Sequence, residues 1–381
     1  MTPPSIPSST DPGPEAAEFP VAPTTRAPAP PLVVRFGAFG DMIMLVPLLR
    51  ALARRYGQPV DLISSTPATE PLWQTLESPG TLRLLSSRRT PFLLNPSQWR
   101  LVAWLRTRPP GPVYVCEHEP KTYRLLRLGG VKAEWICPLP VIPRRPGEHV
   151  IEHFLRFAHQ TPLALGGVTL ERWPGRLPDH HLEPTPAIRK DCAEWLARQD
   201  WWRADEPIVL IQPGNKKTMR RGAPQRASNI KYWATGNWAA VIQGVNATLP
   251  NAQVLVCGST GEWNLAADIV RECAGARVFN VAGQLPIPRL FALLARAHSM
   301  ISVDTGPSHA ATAVGCPVVV LIIGDMLVQC GPKPTTAPAQ VVVSPDPTPA
   351  GVISPLASIT PAEVLAAWRR MTGGPAAVAV D

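Results

Sequence analysis

Ile301-Ser302-Val303-Asp304-Thr305-Gly306-Pro307-Ser308-His309-Ala310-Ala311 is the stretch whose reading decides the fold. An apolar run ends in an acid and a hydroxyl, a glycine frees the backbone to turn, and small residues follow that suit a helix seated on a sheet. Parallel α/β sheets gather ligands at the carboxyl ends of their strands, so Asp304 and its successors stand where a ligand is expected. Free N–H groups at the helix start, the Thr305 and Ser308 hydroxyls and His309 together suit a diphosphate, with Ser308 able to cap the helix. A plain capped turn has the same composition, so the stretch alone leaves both readings open.

The same alternation extends outward on both sides. Pro207–Ile211, Gln253–Cys257, Val278–Val281, Met300–Val303 and Pro317–Ile323 read as strands. Tyr232–Thr248, Glu262–Cys273, Ile287–Ala297 and Ser308–Val314 read as the helices between them, which makes a parallel sheet covered by helices. Thr360-Pro361-Ala362-Glu363 is a capping box with proline at the first helical position, opening a last helix to Met371. A separate α/β series begins near the start: strand Leu32–Arg35, helix Met42–Tyr56 and strand Val60–Ser64. Met44, Leu45, Leu48, Leu49 and Leu52 form the helix's apolar stripe, Pro47 predicts a kink and Gly57 stops it. From 70 to 145 the pattern weakens to helices near 70–77 and 97–106 and a strand at Val113–Cys116. Helices at Glu148–Gln160 and Pro184–Gln199 follow, the second after a proline-bearing stretch that suits a linker.

Two further loops carry chemistry. Arg35-Phe36-Gly37-Ala38-Phe39-Gly40-Asp41 leaves the first strand. Asp41 there can complement the helix dipole and cap the turn, or take a proton from an acceptor hydroxyl if it faces a cleft between domains. With only Gly37 and Gly40, the loop lacks the GxGxxG fingerprint that a nicotinamide-dependent oxidoreductase requires. In the second series, Gln212-Pro213-Gly214-Asn215-Lys216-Lys217 leaves a strand end, and Arg220, Arg221, Arg226 and Lys231 follow. Cations beside a leaving diphosphate neutralise its developing charge. For each residue but Lys231, a solvated basic loop is the better reading.

Composition bounds the rest. With 45% hydrophobic and 17% charged residues the 381-residue chain is globular and long enough for two domains. A net charge of +9 favours anionic partners without choosing among them. Its seven cysteines include no CxxC pair, which argues against a zinc site or a disulfide framework and fits a reducing compartment. Residues 1–31, rich in proline, serine and threonine, lack the apolar core of a signal peptide and read as a disordered tail. The longest apolar run, near 310–323, is broken by Gly315 and Pro317 and reads as a helix end plus a strand. His149-Val150-Ile151-Glu152-His153 matches the HxxEH zinc pattern, but without an evident third ligand it reads better as a polar helix face.

These residues, in this order and spacing, resemble glycosyltransferase family 9, the ADP-heptose:lipopolysaccharide heptosyltransferases. The resemblance runs from about 32 to 370. It is carried by Arg35…Gly40-Asp41, Gln212-Pro213-Gly214, Lys231-Tyr232-Trp233 with Trp238, Val254–Gly258, Val281-Ala282-Gly283, Asp304–Ala311 and Gly315-Cys316-Pro317. The chain departs from the family pattern in its serine-poor first loop, its longer and more basic 214–231 stretch, and Ile323-Gly324-Asp325-Met326 after the last core strand.

The resemblance implies a GT-B fold: α/β, with two Rossmann-like domains facing a cleft and a C-terminal helix crossing back to the N-terminal domain. After the Pro-rich tail (1–31) would come an acceptor-side domain (32–183), a nucleotide-sugar domain (184–359), and the crossing helix and tail (360–381). The implied reaction is inverting, metal-independent glycosyl transfer to a lipid-linked glycan such as the lipopolysaccharide core. Asp41 would be the general base, with Arg35, Gly37 and Gly40 in the acceptor-side loop. Lys231, Asp304, Thr305, Gly306, Ser308 and His309 would hold the donor's diphosphate, Glu262 its ribose and Leu285 its base. No cofactor is implied, because the ADP-linked sugar is a substrate. The implied setting is cytoplasmic, with peripheral contact at the inner membrane and no nucleic acid. A non-catalytic sugar-nucleotide or glycan-binding protein of the same fold is the alternative.

Overall fold

The computed structural model describes residues 29–77, 79–86, 94–167, 177–215, 229–273, 275–344 and 354–373. Among them lie two sheets in which every pairing is parallel, one from each half of the chain. The first joins β1 (Leu32–Val34), β2 (Val60–Ser64), β3 (Pro79–Leu84), β4 (Val113–Val115) and β5 (Ile136–Pro138) in the order β3-β2-β1-β4-β5. The second joins β6 (Ile208–Gln212), β7 (Gln253–Val256), β8 (Val278–Asn280), β9 (Ser299–Val303), β10 (Val318–Ile323) and β11 (Ala339–Ser344) in the order β11-β10-β9-β6-β7-β8. The strand order reverses between β1 and β4 in one sheet and between β6 and β9 in the other. Each reversal opens a crevice at the carboxyl edge, the place where open parallel sheets bind ligands in general.

Helix α1 (Phe39–Tyr56) follows β1 and is buried nearly all round from Met42 to Leu52. A helix apolar on every side must be enclosed. The first sheet covers one side, while α5 (Val150–Phe157) and, in the second half, α10 (Gly306–Ala313) cover the other. Enclosure also explains why the helix continues through Pro47, where a kink is expected: the buried stripe offsets a missing hydrogen bond that costs about 3 kcal/mol in an exposed helix. Gly57 ends it in the left-handed conformation at φ 61°.

On the opposite face of the first sheet lie α3 (Pro96–Thr107) and α4 (Pro120–Leu128), which bury Leu101, Leu105, Leu125 and Leu126 against β1 and β4. A short α2 (Thr69–Trp73) precedes β3. In the second half, α6 (Pro186–Ala197), α7 (Thr235–Thr248), α8 (Trp263–Glu272) and α9 (Ile287–Arg296) complete the helical layers.

Two expectations are corrected. Residues 29–31 belong to the fold and not to a tail: Ala29 is buried and donates to Pro110 O at 3.1 Å, and Pro31 O accepts from Asp61 N at 2.8 Å. The rest of that tail, 1–28, lies outside the described residues, as does the basic loop holding Lys216, Lys217, Arg220, Arg221 and Arg226. The last helix, α12 (Pro361–Thr372), forms behind its Thr360–Glu363 capping box but does not show the expected crossing. It lies on α7, β10 and β11 of the second domain, because its buried face of Val364, Ala367 and Trp368 matches that sheet, and Trp368 Nε1 donates to Ser299 Oγ at 2.8 Å. After β10, where the chain departs from the family pattern, comes the short helix α11 (Gly324–Cys330).

Candidate active site

The two crevices meet. The loop after β1 presses on the start of α10, so closely that a methyl group added at Gly40 would lie 2.8 Å from His309 Cδ2 and 3.3 Å from Gly306 Cα. One added at Gly306 would lie 2.8 Å from Phe39 Cδ1 and 3.3 Å from Gly40 N. Glycine at both positions is therefore a packing requirement, and it brings Asp41 and the Asp304–His309 loop to one place. Gly37 serves the same loop internally, since a side chain there would overlap Asp41 Cβ.

Asp41 occupies the first turn of α1. Its Oδ2 accepts from Ala38 N at 2.7 Å and its Oδ1 meets Arg35 Nη2 at 3.3 Å, so it does close the turn. It also remains 36% exposed, at the cleft. Cys330, across the cleft on α11, feels the charges of Asp304, Lys231, Asp41 and Arg144 together; burial first, then Asp304 and Asp41, hold its thiol up at about 11 against the opposing pull of Lys231 and Arg144. The cap and the cleft-facing carboxylate are one residue.

Arg35 is itself held by Glu117, which follows β4 and so shares the crevice. Glu117 Oε1 accepts from Phe36 N at 2.7 Å and stands 3.7 Å from Arg35 Nη1, which also donates to Cys116 O at 3.2 Å. Arg35 Nε is buried with no partner among the described residues. Glu117 is absent from the sequence-derived site. Its signal was an acid directly after a predicted strand, at the carboxyl edge.

On the facing side Lys231 and Asp304 form one unit. Lys231 Nζ donates to Asp304 Oδ2 at 2.5 Å and to Asp304 O at 3.1 Å, while His309 Nε2 lies 3.6 Å from Asp304 Oδ1. Asp304 is 4% exposed. Burial pushes its carboxyl up, but His309 and Lys231 overcome that and hold it below the usual range. Thr305, not Ser308, is the N-cap position of α10, and Ser308 sits within the first turn. The Ser308 hydroxyl donates to Thr305 O at 2.7 Å and receives Thr305 N at 3.3 Å, so it shapes the turn.

Glu262 and Leu285 lie farther along the carboxyl edge of the second sheet. Glu262 is 6% exposed, and its Oε2 accepts from both the Ser259 amide and hydroxyl at 2.8 Å, closing a capping box. Leu285 lines a cavity of about 610 Å³ with Trp195, Gly258, Thr260, Gln284 and Arg289. That volume falls in the range of small-molecule sites.

The HxxEH histidines point to separate backbone carbonyls. His149 Nδ1 accepts from Ile151 N and its Nε2 meets Gly331 O at 2.9 Å, whereas His153 Nε2 meets Ile142 O at 2.8 Å. The bond between His149 and Gly331 spans the cleft, as do Arg144 to Gln329 O (3.2 Å) and the Lys333–Glu152 ion pair. His180 is also buried here, 3.3 Å from Thr312 Oγ1.

Burial foremost, helped by Lys333 and His309 nearby and opposed by the bond to Gly331 O and by Glu152, holds His149 down at about 4. Burial and then His309, against Asp179, do the same for His180. An unfolded histidine titrates near 6.5, so the unfolded chain takes up protons first as pH falls. Stability is therefore full above about 6.5 and declines toward 4, and carboxylates add little to the slope above about pH 5. Melting followed from pH 7 to 5 should show Tm falling, with a visibly flatter slope in His149→Gln/His180→Gln. An unchanged slope in that variant would assign the acid sensitivity elsewhere.

Facing crevices in two parallel α/β domains define the GT-B class of fold. Escherichia coli ADP-heptose lps heptosyltransferase II shares it with a TM-score of 0.67 at 17% identity, over 90% of this chain and 98% of that one. The glycosyl transferase family 9 structure from Veillonella parvula DSM 2008 gives 0.71 at 14% identity, over 90% and 97%. In sequence, residues 148–324 match the model of glycosyltransferase family 9 (heptosyltransferase). A 145-residue stretch is 28% identical to lipopolysaccharide heptosyltransferase 3 of Escherichia coli (strain K12), covering 38% of this chain and 39% of that protein. The match thus spans about two fifths of the curated relative. Residues 148–324 are similar in sequence to glycosyltransferase family 9, and the fold over most of the chain is the one its solved structures have.

Proposed function

We propose that this protein transfers a sugar, heptose from ADP-heptose, to a lipid-linked glycan such as the lipopolysaccharide core, by a single inverting displacement that needs no metal. The observation that carries the reading is the contact of the Gly40-Asp41 turn with the Gly306–His309 turn, which puts a carboxylate opposite a cation and a helix start. The acceptor hydroxyl oxygen attacks the anomeric carbon, its proton passes to Asp41, and the bond from that carbon to the diphosphate oxygen breaks. The electron pair leaves on ADP, where Lys231 and the Thr305–His309 turn compensate the charge. Glu262 and Leu285 stand beside the cavity proposed for the ribose and base. Arg35, with a donor unused, faces the acceptor together with Gly37 and Gly40.

The domains are taken as 32–183 for the acceptor and 184–359 for the donor. The reaction is assigned to the cytoplasmic side of the inner membrane; among the described residues no helix is long and apolar enough to cross it. The rival reading, a sugar-nucleotide or glycan-binding protein without turnover, is favoured by the involvement of Asp41 in its own cap. Thermal stabilisation by ADP-, UDP-, GDP- and CDP-sugars, followed by release of the free diphosphate on adding a lipid-linked acceptor, separates them. ADP-heptose should stabilise and turn over. Stabilisation by a different nucleotide would replace the donor, and stabilisation without release would establish the binding protein.

A further inference from the structure

Helices α3 and α4 form the outer layer of the first domain, side by side, with Arg106 Nε donating to Leu128 O at 3.1 Å. Their inner faces are the apolar residues already placed on the sheet. Their outer faces are unusual in sign: the sequences PSQWRLVAWLRT and PKTYRLLRL contain no acidic residue. Arg100, Lys121, Arg124 and Arg127 are exposed there. Among these cations stand Trp99, 48% exposed, and Leu94, 73% exposed, just ahead of α3. The nearest acids in sequence are Glu117, turned inward to Arg35, and Glu119, exposed at the head of α4.

From this layer we infer that α3 and α4 are a docking face for a bilayer of anionic phospholipid. Basic side chains near such a surface each add attraction worth roughly a fivefold gain in partition, and tryptophan settles at the headgroup level. The apolar residues among the cations distinguish this face from one made for nucleic acid, whose phosphates ask for charge and stacking in a groove. Position supports the same partner. Each helix of a parallel unit starts at the carboxyl edge of its sheet, so Leu94, Trp99 and Lys121 share the edge that carries Arg35 and Asp41. A membrane lying there presents a lipid-linked acceptor to the site without extracting it.

The test is co-sedimentation of the full chain with phosphatidylglycerol–phosphatidylcholine vesicles and with pure phosphatidylcholine vesicles, at low and physiological salt. Binding should require the anionic lipid and weaken with salt. Arg100→Glu/Lys121→Glu/Arg124→Glu should lower it by about a hundredfold or more, and Trp99→Ser by several-fold. A matched reversal on the second domain, Arg198→Glu/Arg271→Glu/Arg370→Glu, should retain most of it. Equal loss in both triple variants would reduce the effect to net charge. Binding to neutral vesicles alike, no binding, or preference for an RNA oligonucleotide over vesicles would each overturn the assignment. Melting curves show that the variants remain folded, and because the assay reads no turnover, its failure leaves the transferase proposal standing.

Discussion

Asp41→Asn should lower the rate of transfer by about 10²- to 10⁴-fold, the usual contribution of a positioned general base, while the dissociation constant for ADP stays within about twofold. Asparagine keeps the shape of the side chain, and its amide oxygen can still accept from Ala38 N, the shorter of the two bonds that hold Asp41. Single-turnover kinetics beside calorimetric titration of ADP measure the two quantities separately. Asp41→Ala, in contrast, also removes the cap and should cost about 1 kcal/mol of stability. Parallel loss of ADP affinity in the asparagine variant would make Asp41 a structural residue.

The second large effect belongs to Lys231. In Lys231→Ala, Asp304 loses its closest cation while remaining buried, and breaking such a pair typically costs about 3–5 kcal/mol. The variant should therefore both melt lower and bind ADP at least about tenfold more weakly. Either loss alone is ambiguous. Lys231→Met/Asp304→Asn removes both charges, so it should regain much of the stability and none of the affinity. Recovery of ADP binding in the double variant would remove Lys231 from the diphosphate site and leave it a support for Asp304.

How much of this was legible depends on what each element needed. The inner strands β6, β7, β9 and β10 announce themselves because strands covered on both faces must be apolar throughout, as Ile208–Gln212 and Val318–Ile323 nearly are. The strands that escaped notice are edge strands. In Pro79–Leu84, a proline, a glycine and mostly exposed positions carry no alternation, and Ile136–Pro138 is too short to show any. Ala339–Ser344 is apolar enough but stands among prolines. At the site, the loops were legible as loops, because glycine before an acid or within a hydroxyl-rich turn follows from backbone geometry. Their partners were not. Lys231 reaches Asp304 across 73 residues, and Glu117 reaches Phe36 across 81, pairings that only the meeting of distant strand ends creates. The last helix shows the reverse limit: its capping box fixed where it starts, but nothing local said which domain it would cover.

The bonds from Arg144, His149 and Glu152 to Gln329, Gly331 and Lys333 have a kinetic meaning. They fasten one wall of the cleft to the other with polar groups, and water can replace each bond as it parts. An apolar seam in the same place would have to expose its whole area before a nucleotide could leave. A fastening of this kind unzips in small steps, so the cleft can close firmly enough to exclude water and still open again.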